Sequence, residues 1–229
     1  MRLVGLIGGT TWLSSRDYYQ HLNRLVQEAC GGVESARVLL WSFNFGEVQR
    51  NNLRDDQAAN LALILDGCRK MEAAGAEAVA VCANTMHMFA PEIRAVVGIP
   101  LIHLVEACAE YAADHEIRKL LLLGTRYTME GEFYAKPYLD RGIELVIPGD
   151  ADRIEIHRTI YEEMAKEQFL ESTREMYRRI IGEYRETGID GVIMGCTEIP
   201  ILLAGEALGV PQLDTAKIHS RAIVQFMLR

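Results

Sequence analysis

The chain has 229 residues, enough to bury a sizeable core as one large domain or two small ones. A net charge of −8 and a pI near 5.3 argue against a nucleic-acid surface, and no apolar run is long enough to span a bilayer. Five cysteines, Cys30, Cys68, Cys82, Cys108 and Cys196, are an odd number without CxxC spacing; they argue against a disulfide scaffold or zinc site and point to reduced thiols in the cytoplasm.

Taken in order, Met1-Arg2 leads straight into a strand-like run over 3–7, so no signal peptide is expected. The run ends in Gly8-Gly9-Thr10-Thr11, a glycine turn that lacks the G-x-G-x-x-G spacing of a dinucleotide site. Ser14 or Ser15 is the expected cap of a helix to about Cys30. Residues 37–43 read as a second strand. The polar stretch 44–55, which carries Arg50, reads as an exposed loop of the kind that folds over a cleft. Helical spacing over 58–74 stops at Gly75. A third strand over 78–81 follows, then Ala83-Asn84-Thr85-Met86-His87. A short helix is expected over 91–97 and a strand over 101–104.

The second half opens with a helix over 105–115 and a strand over 119–123, ended by Gly124-Thr-Arg-Tyr-Thr128. Helix is expected over 130–141, limited by Pro137, then a strand over 144–147. Residues 151–186 carry long helical periodicity broken near 167–171. A strand over 191–194, a short one over 212–214 and a closing helix over 216–228 complete the chain. Strands alternating with helices point to an α/β protein with mostly parallel sheets.

The pattern occurs twice. Glu77-Ala-Val-Ala-Val-Cys-Ala-Asn-Thr85 overlays on Asp190-Gly-Val-Ile-Met-Gly-Cys-Thr-Glu198 without a gap. Gly98-Ile-Pro100 answers Gly209-Val-Pro211, and the Gly-Thr turn after 3–7 answers that after 119–123. Two similar α/β lobes are therefore expected, with both polar strand ends in one cleft. Ligands of open α/β sheets bind outside the carboxyl ends of strands, which is where Cys196, Thr197 and Glu198 fall. The competing reading of Cys196 is a buried thiol acting as a small hydrophobe.

The clusters Cys82-Ala-Asn-Thr-Met-His87 and Gly195-Cys-Thr-Glu-Ile-Pro200, with Gly8-Gly-Thr-Thr-Trp12 and Gly124-Thr-Arg-Tyr-Thr-Met129, resemble those of the cofactor-independent aspartate/glutamate racemase superfamily. The resemblance covers essentially the whole chain and is closest to the broad amino-acid racemase branch. It implies two pseudo-symmetric α/β/α lobes, residues 1–104 and 105–214, with the closing helix 215–229 returning to the first and the active site in the cleft between them. It also implies racemisation of aspartate, glutamate or a broader set of amino acids, without pyridoxal phosphate, another cofactor or a metal. The Cα proton leaves on one face and returns on the other, and a thiol of suitable pKa can serve as base and as acid.

On this resemblance Cys196 is the principal acid/base. Asn84, Thr85 and Thr197 would bond the substrate carboxylate, and Thr11 and Thr125, with Thr128 in the same turn, could grip the carboxylate or amine. Ordinary capping at strand-to-helix turns is the other use for such residues. Glu198 could orient the thiolate or the substrate amine, His87 could move a proton or be a satisfied helix histidine, and Arg50 and Lys166 are cations suited to a distal carboxylate. One position departs from the pattern. Relatives with two catalytic cysteines carry the first immediately before Asn-Thr, where this chain has Ala83. Cys82, the other candidate, lies one residue earlier, on the opposite face by strand alternation unless a turn re-aims it. A lone thiol would also suit a single-cysteine decarboxylase of the arylmalonate type, and a catalytically weak carboxylate-binding protein is a third reading. The expected partner is a small amino acid or dicarboxylate, with neither nucleic acid nor membrane; a homodimer is compatible.

Overall fold

Two four-stranded sheets, parallel throughout, organise the chain. The computed structural model describes all residues, Met1–Arg229. They divide into one unit of Met1–Leu104 with His219–Arg229 and a second of Val105–Ile218.

In the first unit, β1 (Val4–Gly8), α1 (Trp12–Cys30), β2 (Val38–Ser42), α2 (Phe45–Leu53), α3 (Gln57–Ala73), β3 (Ala78–Val81), a 3-10 turn (Thr85–Phe89), α4 (Ala90–Val96) and β4 (Leu101–Ile102) follow one another, and the strands lie in the order β2-β1-β3-β4. The second unit contains α5 (Leu104–Asp114), β5 (Lys119–Gly124), α6 (Arg126–Glu130), α7 (Glu132–Leu139), β6 (Glu144–Val146), α8 (Asp150–Glu162), a 3-10 turn (Met164–Lys166), α9 (Glu171–Glu186), β7 (Gly191–Gly195), α10 (Ile199–Leu202) and β8 (Gln212–Asp214), with strand order β6-β5-β7-β8. The last helix, α11 (Thr215–Leu228), belongs to the first unit from His219 onward. There Arg2 donates its N–H to the Met227 carbonyl and lays its guanidinium over Phe226. No helix is long and apolar enough to cross a membrane.

The two sheets share more than strand order. Glu77 Oε1 accepts from the Leu3 N–H just before β1, and Asp190 Oδ2 accepts from the Arg118 and Lys119 N–H groups at the start of β5. Each acid thus aligns two neighbouring strands. The Pro100 carbonyl accepts from Val79 and the Pro211 carbonyl from Val192, so the Gly-Ile/Val-Pro turns start the edge strands in the same register. Central strands covered by helices on both faces must be apolar throughout, and β1, β3 and β7 are buried along their whole length.

Three expectations need correction. Residues 44–55 are not a loop: they hold α2, with Asn44 capping the Gly46 N–H at 3.1 Å. Val48 is buried in the cluster of Ile7, Ile64, Cys68 and Met71, and Phe45 packs against it. Two apolar residues three apart give one helical stripe, and tertiary burial rather than periodicity sustains this short helix. The cap of α1 is Thr11, which accepts from Ser14, rather than Ser14 or Ser15. Ser14 instead gives its hydroxyl proton to the Cys82 carbonyl, and Ser15 accepts from the Gly9 N–H. The helix expected over 130–141 is divided at Gly131, where a Cβ would lie 2.5 Å from the Tyr127 carbonyl oxygen, while Pro137 is accommodated inside α7.

Behind β3 and β4 the first unit buries three histidines, His87, His103 and His219. His87 donates from Nδ1 to the Ala83 carbonyl and accepts the Leu104 N–H at Nε2. His219 accepts from the Tyr18 hydroxyl at Nδ1 and donates from Nε2 to the Ile102 carbonyl. At His87 the partner set fits only the neutral ring, because the Leu104 N–H can only donate. Burial first, then the neighbouring cations and imidazoles, lowers all three pKa values from 6.5 to about 3. The unfolded chain therefore binds protons that the folded chain refuses. The stability these rings supply is fully present above pH 6.5 and lost as the pH falls from there toward 3. Urea titrations between pH 7 and 4.5 should show uptake of about three extra protons on unfolding. Stability flat with pH across that window would mean the rings titrate normally.

Candidate active site

In the second unit β5 and β7 run side by side with Gly124 opposite Gly195, so their turns leave the sheet at one level. No side chain fits beneath that turn. A Cβ on Gly195 would lie 2.7 Å from the Leu123 carbonyl oxygen, and the Thr128 methyl occupies the space above both glycines. Thr125 caps α6, accepting the Thr128 N–H at 3.3 Å, and the two hydroxyls are 3.2 Å apart. Thr125 is therefore the cap of α6, and Thr128, inside that helix, lies beside the next turn, which carries the thiol.

That thiol is half-buried. Cys196 Sγ–H donates to Glu198 Oε2 at 2.9 Å, and the Thr197 hydroxyl donates to the same oxygen at 3.0 Å. Burial raises the Cys196 pKa well above the thiol range, and the Glu198 charge and its hydrogen bond raise it further; backbone hydrogen bonds at Glu198 and Thr197 act the other way. The resting group is a protonated thiol with a buried carboxylate positioned to take its proton. Tyr161 of α8 and Tyr177 of α9 stand close enough that charge on Cys196 and Glu198 adds to burial in raising their phenol pKa values. Sequence reasoning missed Tyr161 and its neighbour His157, because 151–186 displays helical spacing and no motif.

The matching strand ends of the first unit are built differently. Val81 pairs with Ile7 as Met194 pairs with Leu123, so Cys82 occupies the place of Gly195 and Ala83 that of Cys196. Ala83 packs with Val79 and Val81 against the cluster on the α3 face. Alternation therefore continues to the end of the strand, and no turn re-aims Cys82. Its thiol is wholly buried, and burial pushes its pKa up. Asn84 is buried and Thr85 partly exposed at the start of the 3-10 turn, while Thr11, buried beside them at the end of β1, is the helix cap. His87 has both ring nitrogens engaged and stays neutral, which removes it as a proton carrier. This end of the sheet thus offers hydroxyls and an amide, with no accessible thiol.

Arg50 lies exposed on α2, its guanidinium folded back over Gly46 of the same helix. Lys166 is exposed at the end of the 3-10 turn of the second unit. No three His, Cys, Asp or Glu side chains converge in a metal-binding group.

Comparison with known proteins is consistent across the chain. The model of the family described as Asp/Glu/Hydantoin racemase matches residues 7–223. The broad specificity amino-acid racemase RacX of Bacillus subtilis (strain 168) is 25% identical over 165 residues, 72% of this chain and 71% of that protein. Among solved structures, a Yersinia pestis protein provisionally named an Asp/Glu racemase is 39% identical with a TM-score of 0.91, and an aspartate racemase homologue from Pyrococcus horikoshii OT3 is 33% identical with a TM-score of 0.86. Each of these two covers 100% of both chains.

Proposed function

We propose, from the premise that the chain belongs to the Asp/Glu/Hydantoin racemase family and is a racemase, that it inverts the Cα of aspartate, glutamate or a broader set of amino acids with Cys196 as its proton-transfer group. The observation that carries this reading is the Cys196–Glu198 hydrogen bond at the end of β7. In this mechanism Glu198 takes the thiol proton as substrate arrives, and the substrate ammonium offsets the charge that holds the thiol protonated. The thiolate removes the Cα proton, and the thiol form returns one. The Thr125–Thr128 hydroxyl pair, beside the turn that carries the thiol, is the donor that stabilises the carbanion-like transition state through the substrate carboxylate, while the Thr197 hydroxyl donates to Glu198 and orients the group that takes the thiol proton. The test is solvent-deuterium incorporation at Cα across a panel of L- and D-amino acids. Incorporation into at least one is expected, and none into any would sink the reading.

The distal carboxylate of an acidic substrate is assigned to Arg50 and Lys166. A charge-assisted pair contributes about 1.5–3 kcal/mol, roughly ten- to a hundredfold in affinity. Arg50→Ala should therefore raise KM for aspartate or glutamate by that factor while changing KM for a neutral amino acid little. An equal loss for both classes would place Arg50 outside the site.

A further inference from the structure

The β5–α6 turn is held from outside its own segment. The Arg126 N–H, first in α6, donates to Nδ1 of His157 on α8 at 3.1 Å, so the ring proton resides on Nε2. One helical turn onward on the same face stands Tyr161, its ring 4.8 Å from that of His157, and Tyr127 approaches the imidazole edge-on at 6.2 Å. The turn so anchored contains Thr125 and the Thr128 methyl that covers Gly124 and Gly195, immediately beneath Cys196. His157 is half-buried and belongs to none of the motifs that mark the strand ends.

We propose that His157 is a positioning residue of the Cys196 site: through Nδ1 it holds the Thr125–Thr128 turn in register with the thiol, and through its ring it sets the place of Tyr161. The inference rests on the reading of Cys196 as the proton-transfer group. Its consequence is a dependence on pH. A proton on Nδ1 abolishes the acceptor and turns the ring into a second donor facing the Arg126 N–H, so the turn is released on the acid side. The groups acting on the ring are Arg126 and Glu130 of α6, with Tyr127 and Tyr161 beside it; Glu130 is itself shared between Arg126 and Arg153. Burial first, then the Arg126 charge, lowers the His157 pKa, and Glu130 acts against them. The anchoring bond therefore persists through neutral pH and fails only below the ordinary histidine range.

The experiment compares His157→Asn, whose Oδ1 can accept the same N–H and does not titrate, with His157→Leu, which has no acceptor, alongside Cys196→Ser. The readout is Cα deuterium exchange from pH 5 to 8.5. His157→Leu is expected to lose roughly ten- to a hundredfold in kcat/KM, with kcat falling as well as KM rising, since the hydroxyls of the turn act on the substrate carboxylate in the transition state. His157→Asn should recover most of that loss at pH 7.5 and lack the acid limb below pH 6.5 that the parent shows. Equal behaviour of the Asn and Leu variants, or an acid limb unchanged in the Asn variant, overturns the proposal. If the Leu variant does not fold, the profile of the Asn variant decides alone. Loss of exchange in Cys196→Ser with both His157 variants normal would sink this inference and leave the thiol assignment standing. Exchange intact in Cys196→Ser would remove the thiol assignment itself.

Discussion

Cys196→Ser is expected to slow Cα exchange by about three orders of magnitude while leaving the fold in place. A positioned acid/base contributes roughly 10²–10⁴-fold, and a serine hydroxyl cannot ionise in this pH range. The substitution changes one atom at a half-buried position, so the unfolding midpoint should move little. Near-full exchange in this variant would show that the β7 end does not do the chemistry. Glu198→Gln separates the two roles of its neighbour. Removing the carboxylate charge removes one of the causes that raise the thiol pKa, so the pH midpoint for alkylation of Cys196 by iodoacetamide should move down. Exchange should nevertheless slow, because the group that takes the proton is gone. A faster enzyme, or an alkylation midpoint that moves upward, would contradict the pair.

The second large effect concerns Ala83. With Ala83 in the place of Cys196 and the Cys82 thiol buried, the first unit supplies no proton carrier at its strand end. Exchange should therefore be lopsided, with one enantiomer labelled at Cα much faster than the other and net racemisation slow. Ala83→Cys places a thiol at the end of β3, where alternation carries it on from Val79 and Val81. Net racemisation should rise by about a hundredfold, the lower end of the range for gaining an acid/base group. An Ala83→Cys variant no faster than its parent, together with an inactive Cys82→Ser, would show that Cys82 reaches substrate in spite of its burial.

Much of the architecture is local and so readable along the chain. Apolar runs cut off by Gly and Pro mark β1, β3, β5 and β7, and the duplicated acid, strand and Gly-Ile/Val-Pro pattern marks two similar sheets. Glu77 and Asp190 show the reason: each repeat needs a carboxylate in the same place to accept backbone N–H groups of the adjacent strand. The position of Cys196, Thr197 and Glu198 just after β7 also follows from sequence, because polar residues that end a buried strand must emerge at its carboxyl end. Helix α2 did not follow, since its burial through Phe45 and Val48 against Ile64 and Met71 is a tertiary event in a polar stretch. Nor did the neutral state of His87, which depends on the Leu104 N–H arriving at Nε2 from seventeen residues away. The anchoring of Arg126 by His157 spans thirty-one residues and leaves no trace in spacing. Strand ends and repeats are properties of neighbours in the chain, whereas the protonation state of a buried ring or thiol is decided by whichever donors, carboxylates and carbonyls the folded sheet brings against it.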